Sequence, residues 1–369
     1  MTGQEYLPPD FDAPALRSAP DARFEPAPAD GVLPEGFFSS TNLPTYVRID
    51  GRWVMPRTPR MDSALVLDHD GGLRALEFRY VRKGQPVAMG EAEDGSMGIL
   101  VDAMGLLAGA AGGSKGEFQF MASEVSREKP VDYARLADLL VRERERGGHV
   151  VWVLGPAVVH SRGRDVVTWF IENGFVNAIM AGNALAVHDI ESALMGTTLG
   201  MDTKGRPRPG GHAYHMRAIN RIAAAGSIEA AVEQGILTDG IIHAAVTHDV
   251  PRVLAASIRD DGPLPGVLTS AIEAQERMRE HAIRTTMVIM IATALHSIAF
   301  GNMLPAYHQD EDGDLHPITT IAVDSSEFVV NKLKDRGTHQ AFGIITNAQD
   351  FLQVLRFYVE RAAASPGAA

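Results

Sequence analysis

Two adjacent carboxylates, Asp260 and Asp261, stand in a loop stiffened by Gly262, Pro263 and Pro265 (SIRDDGPLP). Neighbouring residues point their side chains differently. The pair therefore reads as two separate roles, one for proton transfer and one capping a helix that begins near Pro263. His296 follows the very apolar run 287–292 (MVIMIA). Desolvation and a nucleotide neighbour there would shift its pKa and make it an acid–base group; a satisfied core histidine is the other reading. Asp324 closes a second apolar run (ITTIAV), where a carboxylate either accepts from a ribose diol or caps the next helix. Gly182 and Asn183 open a helical pattern, so the N–H groups of Asn183 and Ala184 can face an anion. These are the parts of a nucleotide site. The G-x-G-x-x-G loop is absent, and Gly155 stands alone before Pro156, so a dinucleotide would not be held by the standard phosphate loop. Neither a G-x-S-x-G elbow nor a Walker lysine occurs, which disfavours the α/β-hydrolase and P-loop classes. His160, His188, His212, His215, His243 and His248 invite a metal reading, and His212 and His215 share a helical i, i+3 spacing. No acidic partner at fixed spacing accompanies them, so no metal is expected.

The elements that must position these groups alternate from residue 148 onward. Strands are expected at 149–154, 177–180, 252–257, 287–292, 318–323 and 341–346. Helices are expected at 165–173, 184–195, 266 to about 284, 327–334 and 350–363. β-Branched runs alternating with helices imply a parallel sheet covered on both faces. Ligands of such sheets bind beyond the carboxyl ends of the strands, and small or polar residues recur at every one of these ends. Between residues 46 and 101, short apolar stretches (TYVRI, RWVM, SALVLD, LRALEFRYV, QPVAMG, MGILV) alternate with turn signals, the pattern of a β-rich domain. The predicted organisation is a flexible arm at 1–30, a β-rich domain at 31–104, a glycine-rich linker with a connecting helix (132–146) at 105–147, and a nucleotide-binding domain at 148–369.

Composition narrows the function further. The chain has 369 residues and no cysteine, which excludes disulfides, thiolate zinc, iron–sulfur clusters and a cysteine nucleophile. A hydrophobic content of 45% excludes wholesale disorder. The net charge of −12 argues against a broad nucleic-acid surface, which needs clustered Lys and Arg. No apolar run reaches the roughly 18 residues of a membrane span, and the polar start (MTGQEYLPPD) is no signal peptide. A cytoplasmic enzyme acting on a small molecule, with no nucleic-acid or membrane partner, is expected. Ala-rich helices such as IAAAGSIEAAVE suit packing between the subunits of a homo-oligomer.

The strings GPAVVHS, AGNALAVHDIESALMGTTLG, GGHAYHMRAIN, AGSIEAAVEQGIL, SIRDDGPLPGV, ATALHSIAFGNMLP and VDSSEFVVNKLKDRGTHQAFGIIT follow in the order and spacing of one family. LPEGFFSSTNLPTYVRIDGRWV, Arg60 to Asp62 and FMASEVSREKP are similar as well. From about residue 31 to about 360 the chain resembles the archaeal-type ornithine cyclodeaminases, whose members also carry a region shared with the lysine-oxoglutarate reductase/saccharopine dehydrogenase bifunctional enzyme. The resemblance implies an α/β fold: a C-terminal Rossmann-like, deoxyhypusine-synthase-like doubly wound sheet with a small β-rich N-terminal domain. It also implies tightly bound NAD as a transient hydride acceptor, converting L-ornithine to L-proline and ammonia without net redox change. Cofactor contacts carried over are Asn183, Ala184, Asp261, Thr293, Ala294, Leu295, His296, Asp324, Asn347 and Ala348. Related sequences look to have Met for Ala294 and Asp-Val for Asn347-Ala348, so an amide stands here in place of a carboxylate. No upstream arginine dihydrolase domain fits in this chain, so arginine hydrolysis is not expected. The reaction needs a carboxylate clamp, for which Arg48 or Arg60 is expected, with Asn42 and Tyr46 nearby. It also needs proton transfer, for which Asp261 is expected, with Lys83 and His296 behind it. The N-terminal domain is expected to close over the nicotinamide end of the cleft. A net dehydrogenase of the opine or saccharopine type, a cyclodeaminase of another diamino acid, or a non-catalytic NAD-binding protein are the alternatives.

Overall fold

Tight turns set the character of the first hundred residues. Asp50 and Gly51 both take positive φ (49° and 75°), the conformation of a two-residue hairpin turn, and so join adjacent antiparallel strands. The structure is a computed structural model and describes residues 6–105, 131–260, 262–310, 312–334 and 341–364. In chain order it begins with α1 (Pro14–Arg17) and β1 (Arg23–Pro26). Then come β2 (Thr45–Ile49), β3 (Arg52–Val54), β4 (Ala64–Leu67), β5 (Leu73–Leu76), β6 (Pro86–Met89) and β7 (Ile99–Val101). They form two antiparallel sheets, ordered β1-β6-β4-β5 and β3-β2-β7. Along β4 the period of two sends Leu65 into one apolar cluster, with Val47 and Ile99, and Ala64 and Val66 into another, with Val81 and Val87. The stretch 1–30, expected as a loose arm, holds a helical turn and a strand within its described part. β1 pairs with β6, and Ala19 and Ala27 are buried. A strand of Pro, Ala and Asp surroundings carries little periodicity of its own, because its hydrogen bonds come from the partner strand.

The second half runs α2 (Tyr133–Glu145), β8 (Val150–Leu154), α3 (Ala157–His160), α4 (Arg164–Glu172), β9 (Ala178–Gly182) and α5 (Asn183–Met195). It continues with α6 (Tyr214–Ala225), α7 (Ile228–Glu233), α8 (Ile241–Thr247), β10 (Arg252–Ala255), α9 (Ala271–Ala282), β11 (Met287–Ile291) and α10 (Ala294–Met303). After the hairpin β12 (Tyr307–Gln309) and β13 (Leu315–Pro317) come β14 (Thr319–Asp324), α11 (Glu327–Lys334), β15 (Ala341–Ile345) and α12 (Ala348–Ala364). Six strands make one parallel sheet, ordered β10-β9-β8-β11-β14-β15. Every residue of β8 and β11 is buried, which is why they read as unbroken apolar runs. This is the expected α/β architecture.

Two local expectations are corrected. The helix expected from near Pro263 or Gly266 starts at Ala271. Pro263, Pro265 and Gly266 (φ 85°) keep the chain non-helical, and Ser270 caps the helix by accepting from the Glu273 N–H at 3.3 Å. Residues 294–303, for which the sequence reading named no helix, form α10. The glycine-rich linker expected from residue 105 lies outside the described residues over 106–130. Among the described residues, 302–318 fold with 6–105 as one compact unit, while 131–301, 319–334 and 341–364 form the other. The inserted stretch is tied into the first unit by the Ala306 N–H, which donates to the Asn42 carbonyl at 2.8 Å.

Candidate functional site

Numbered along the chain, the six parallel strands lie in the order 3-2-1-4-5-6, so the direction of winding reverses between β8 and β11. That switch point opens the crevice in which sheets of this kind bind ligands. There the Gly155 N–H donates to the Ile291 carbonyl at 2.9 Å, and a Cβ on Gly155 would lie 1.9 Å from the Ala292 carbonyl oxygen. Only glycine permits two diverging backbones so close together. Ala292 itself takes φ 53°, a strained conformation for a residue with a side chain.

On the neighbouring strand, Gly182 ends β9 beneath an imidazole. A Cβ there would come within 2.8 Å of His296 Cε1. His296 Nδ1 lies 3.3 Å from Thr293 Oγ1, and burial lowers the pKa of the ring, with Asp260 partly opposing the shift. The ring is therefore neutral at pH 7. Asn183 is buried, and its Oδ1 accepts from the Leu264 N–H at 3.1 Å, tying the loop after β10 to the start of α5. No side chain caps α5, so the first-turn N–H groups at Asn183 and Ala184 keep their anion-binding character.

Across the switch point, Asp324 Oδ1 accepts from the Ser326 N–H at 2.9 Å, while Oδ2 has no hydrogen-bond partner among the described residues. Capping and ligand binding are thus compatible, one oxygen for each. Asn347 caps α12: its Oδ1 accepts from the Asp350 N–H at 2.8 Å, and its Nδ2 donates to Asp350 Oδ2 at 2.6 Å. Ala348 is buried, Thr293 is half-buried, Ala294 is exposed, and Leu295 is 70% exposed. Asn183, Ala184, Thr293 to His296, Asp324, Asn347 and Ala348 are thereby gathered along one edge of one sheet. Asp261 lies outside the described residues; Asp260 Oδ2 accepts from the Ser257 N–H at 2.8 Å.

In the first unit the expected substrate groups are placed differently. Arg48 is committed to the N-terminal segment, donating to the Ala19 carbonyl at 2.5 Å and the Arg17 carbonyl at 3.1 Å, with Asp21 at 3.4 Å. Arg60 is ion-paired with Glu77. An arginine already satisfied by carbonyls or a carboxylate must break those contacts before it can clamp another anion. Tyr46 is buried, its hydroxyl 3.1 Å from that of Tyr6, which donates to Asp102 Oδ2 at 2.6 Å. Asn42 contributes its carbonyl to the Ala306 bond given above, and Lys83 stands exposed, its N–H donating to Asp30 Oδ1 at 2.8 Å.

Two of the histidines weighed for a metal, His160 and His188, do come together, but with Thr198 and Glu191 as their partners. The rings of His160 and His188 meet edge to face with centroids 4.7 Å apart, and His160 Nδ1 lies 2.5 Å from Thr198 Oγ1. His188 is held by the buried Glu191 at 3.1 Å. Glu191 also accepts from Thr197 Oγ1 at 3.0 Å, the Leu199 N–H at 3.2 Å and the Gly200 N–H at 2.9 Å. Burial and the neighbouring His188 bring the His160 pKa down to about 4. The i, i+3 spacing of His188 and Glu191 was legible, but the partner His160 comes from another crossover. Among the described residues no three His, Asp or Glu side chains gather as a metal site, and no helix is long and apolar enough to cross a membrane.

Known proteins resemble this chain over most of its length. Residues 134–355 match the family described as "Arginine dihydrolase ArgZ-like, C-terminal, Rossmann fold", and residues 44–134 match its "C-terminal, first region". The chain is 44% identical over 339 residues to an ornithine cyclodeaminase of Methanopyrus kandleri, covering 91% of this chain and 77% of that protein. A relative of the same name from Methanocaldococcus jannaschii is 43% identical over 344 residues, covering 91% and 77%. Among solved structures, a conserved LOR/SDH protein of Methanococcus maripaludis superposes with a TM-score of 0.83 at 40% identity, covering 93% of this chain and 99% of that one. AgrE, solved as a ternary complex with ornithine and NAD+, gives a TM-score of 0.59 at 34% identity, covering 94% of this chain and 47% of AgrE.

Proposed function

The chain belongs to the ornithine cyclodeaminase family, and on that premise we propose that it converts L-ornithine to L-proline and ammonia, with NAD seated along the carboxyl edge of the parallel sheet. The observation that carries this reading is the 3-2-1-4-5-6 order, which brings an Asp324 oxygen without a partner among the described residues, a helix start without a side-chain cap and the half-buried His296 imidazole to the carboxyl edge of the sheet. AgrE, a relative solved with ornithine and NAD+ together, supports it.

The residues fit the cofactor. Asp324 Oδ2 suits a ribose diol, and its charge disfavours a 2′-phosphate, so NAD is preferred to NADP. The start of α5 suits the pyrophosphate. When bound, NAD supplies a reversible two-electron oxidation of the amine-bearing carbon, restored within each turnover. Asp261 and His296 are the proposed proton carriers. His296 is already neutral at pH 7 and can take a proton from the substrate ammonium. Gly155 and Ala292 hold the strand ends in the spacing this arrangement needs.

An ammonia assay over a panel of diamino acids, with absorbance followed in the NADH band, tests the proposal. Ammonia from ornithine with no build-up of NADH is expected, and mass spectrometry of the purified protein should find NAD. Accumulating NADH would instead mark a saccharopine- or opine-type dehydrogenase. In the same assay Asp261→Asn should release no ammonia while keeping the wild-type melting temperature; parental turnover would remove Asp261 from the reaction.

A further inference from the structure

Phe328 is the most exposed aromatic side chain among the described residues, at 71%. It is the second residue of α11, and Asp324, the last residue of β14, precedes it by four positions. Side chains in a first helical turn tilt toward the helix N-terminus, so this ring leans toward the carboxyl edge of the sheet. Lys332, one turn farther along α11, has its Nζ 5.5 Å from the ring centroid and covers the face on its own side. Among the described residues no other cation and no aromatic ring packs on Phe328, so most of the ring stays open to solvent. Just beyond the adjacent strand, Asn347 commits its Oδ1 and one of its two amide hydrogens to Asp350, as the cap of α12. A carboxylate oxygen without a partner among the described residues, four residues before an exposed phenyl ring at the same strand end, matches an adenosine: the carboxylate holds the diol and the ring holds the purine.

We propose that Phe328 is the stacking platform for the adenine of the dinucleotide whose ribose Asp324 holds. The inference rests on the reading of this edge as an NAD site and adds how the base is recognised: by its face, not by hydrogen bonds to its edge. Stacking is tolerant of base identity, because every base presents a π-face. Nicotinamide hypoxanthine dinucleotide should therefore bind with the affinity of NAD.

Calorimetry on the full chain, freed of co-purifying nucleotide, tests this with ADP-ribose and nicotinamide mononucleotide as separate probes. Phe328→Ala should weaken ADP-ribose by about five- to a hundred-and-fiftyfold, the range of one lost base stack, and leave nicotinamide mononucleotide unchanged. Phe328→Trp should restore ADP-ribose binding. The ring is exposed, so neither variant should shift the melting temperature. Unchanged ADP-ribose affinity in Phe328→Ala, or equal loss of both probes, overturns the platform. If the wild-type chain binds neither NAD nor ADP-ribose, the cofactor reading itself falls, an outcome distinct from a variant that binds as well as its parent.

Discussion

At the amino end of the parallel sheet, Thr286 Oγ1 donates to the buried Glu143 at 2.6 Å, and Arg146 Nε donates to the same carboxylate at 3.1 Å. His149 and His281 are hydrogen-bonded at 3.1 Å with their rings stacked, and Asn177 Oδ1 accepts from the Val150 N–H at 2.9 Å. At the carboxyl end of the same strands, Asp324 keeps an oxygen unused, Ser161 and Ser297 bury hydroxyls without partners among the described residues, and Ala292 is strained. Leu295 and Phe328 stand out into solvent there. Buried polar groups are normally satisfied, and those left unsatisfied or strained mark places built for something else. The difference teaches a division of labour. The amino end spends most of its polar chemistry on holding α2, β8 and β11 together, with Thr320 Oγ1 an unpaired exception among the described residues, while the carboxyl end keeps more of its own uncommitted, as the proposed cofactor site requires.

The most severe test is a matched pair of glycine substitutions. In Gly155→Ala the new Cβ meets the Ala292 backbone at 1.9 Å, so the switch point must spread. This should cost at least the upper end of the ~1–3 kcal/mol typical of overpacking, and NAD binding should vanish. In Gly148→Ala the Cβ meets Glu143 Oε2 at 2.3 Å and Thr286 Oγ1 at 2.7 Å, so the stability cost should be comparable, but the folded protein should bind NAD normally. Urea denaturation and calorimetry read both; impaired NAD affinity in Gly148→Ala breaks the division.

Asp324→Asn is milder. The amide can still cap Ser326, but the charged acceptor is gone, a loss of ~1 kcal/mol between charged and neutral hydrogen bonds. NAD should bind about fivefold more weakly, rejection of NADP should relax, and the melting temperature should hold.

The remaining test is one of pH. Burial, Arg284 and His281 bring the His149 pKa down to about 4 from the ordinary 6.5. Between those values the unfolded chain binds more protons than the folded one. The contribution is therefore intact above pH 6.5 and is lost as pH falls toward 4. Denaturation midpoints across that window should fall with pH, His149→Gln should flatten part of the slope, and NAD affinity at pH 7 should be unaffected. His160, with the same depressed value, retains the remaining slope. A His149→Gln variant with the full wild-type slope would remove His149 from the account.

Much of the fold was legible because its signals are local. The unbroken apolar runs of β8 and β11, the cap at Asp132 and the turn at Asp50-Gly51 each declare themselves within a few residues. β1 (RFEP) and the β12–β13 hairpin (YHQ, LHP) were not legible, since each strand carries only one clearly apolar residue or two and owes its existence to the partner strand. The carboxyl-edge groups could be found from the rule that ligands bind beyond strand ends. The engagement of Arg48 and Arg60 could not, because an arginine's partner is not written in its neighbours.

By itself, then, the sequence determined the alternation of strands and helices, the exclusion of cysteine chemistry, and the polar residues waiting at each strand end. Only the tertiary structure decided that winding reverses between β8 and β11, that residues 302–318 fold with the first unit, and that His296 lies over Gly182. The physical reason is range. Backbone propensity and periodicity act over one or two turns of chain, whereas strand order and side-chain partners depend on which crossovers bury the most apolar surface at once.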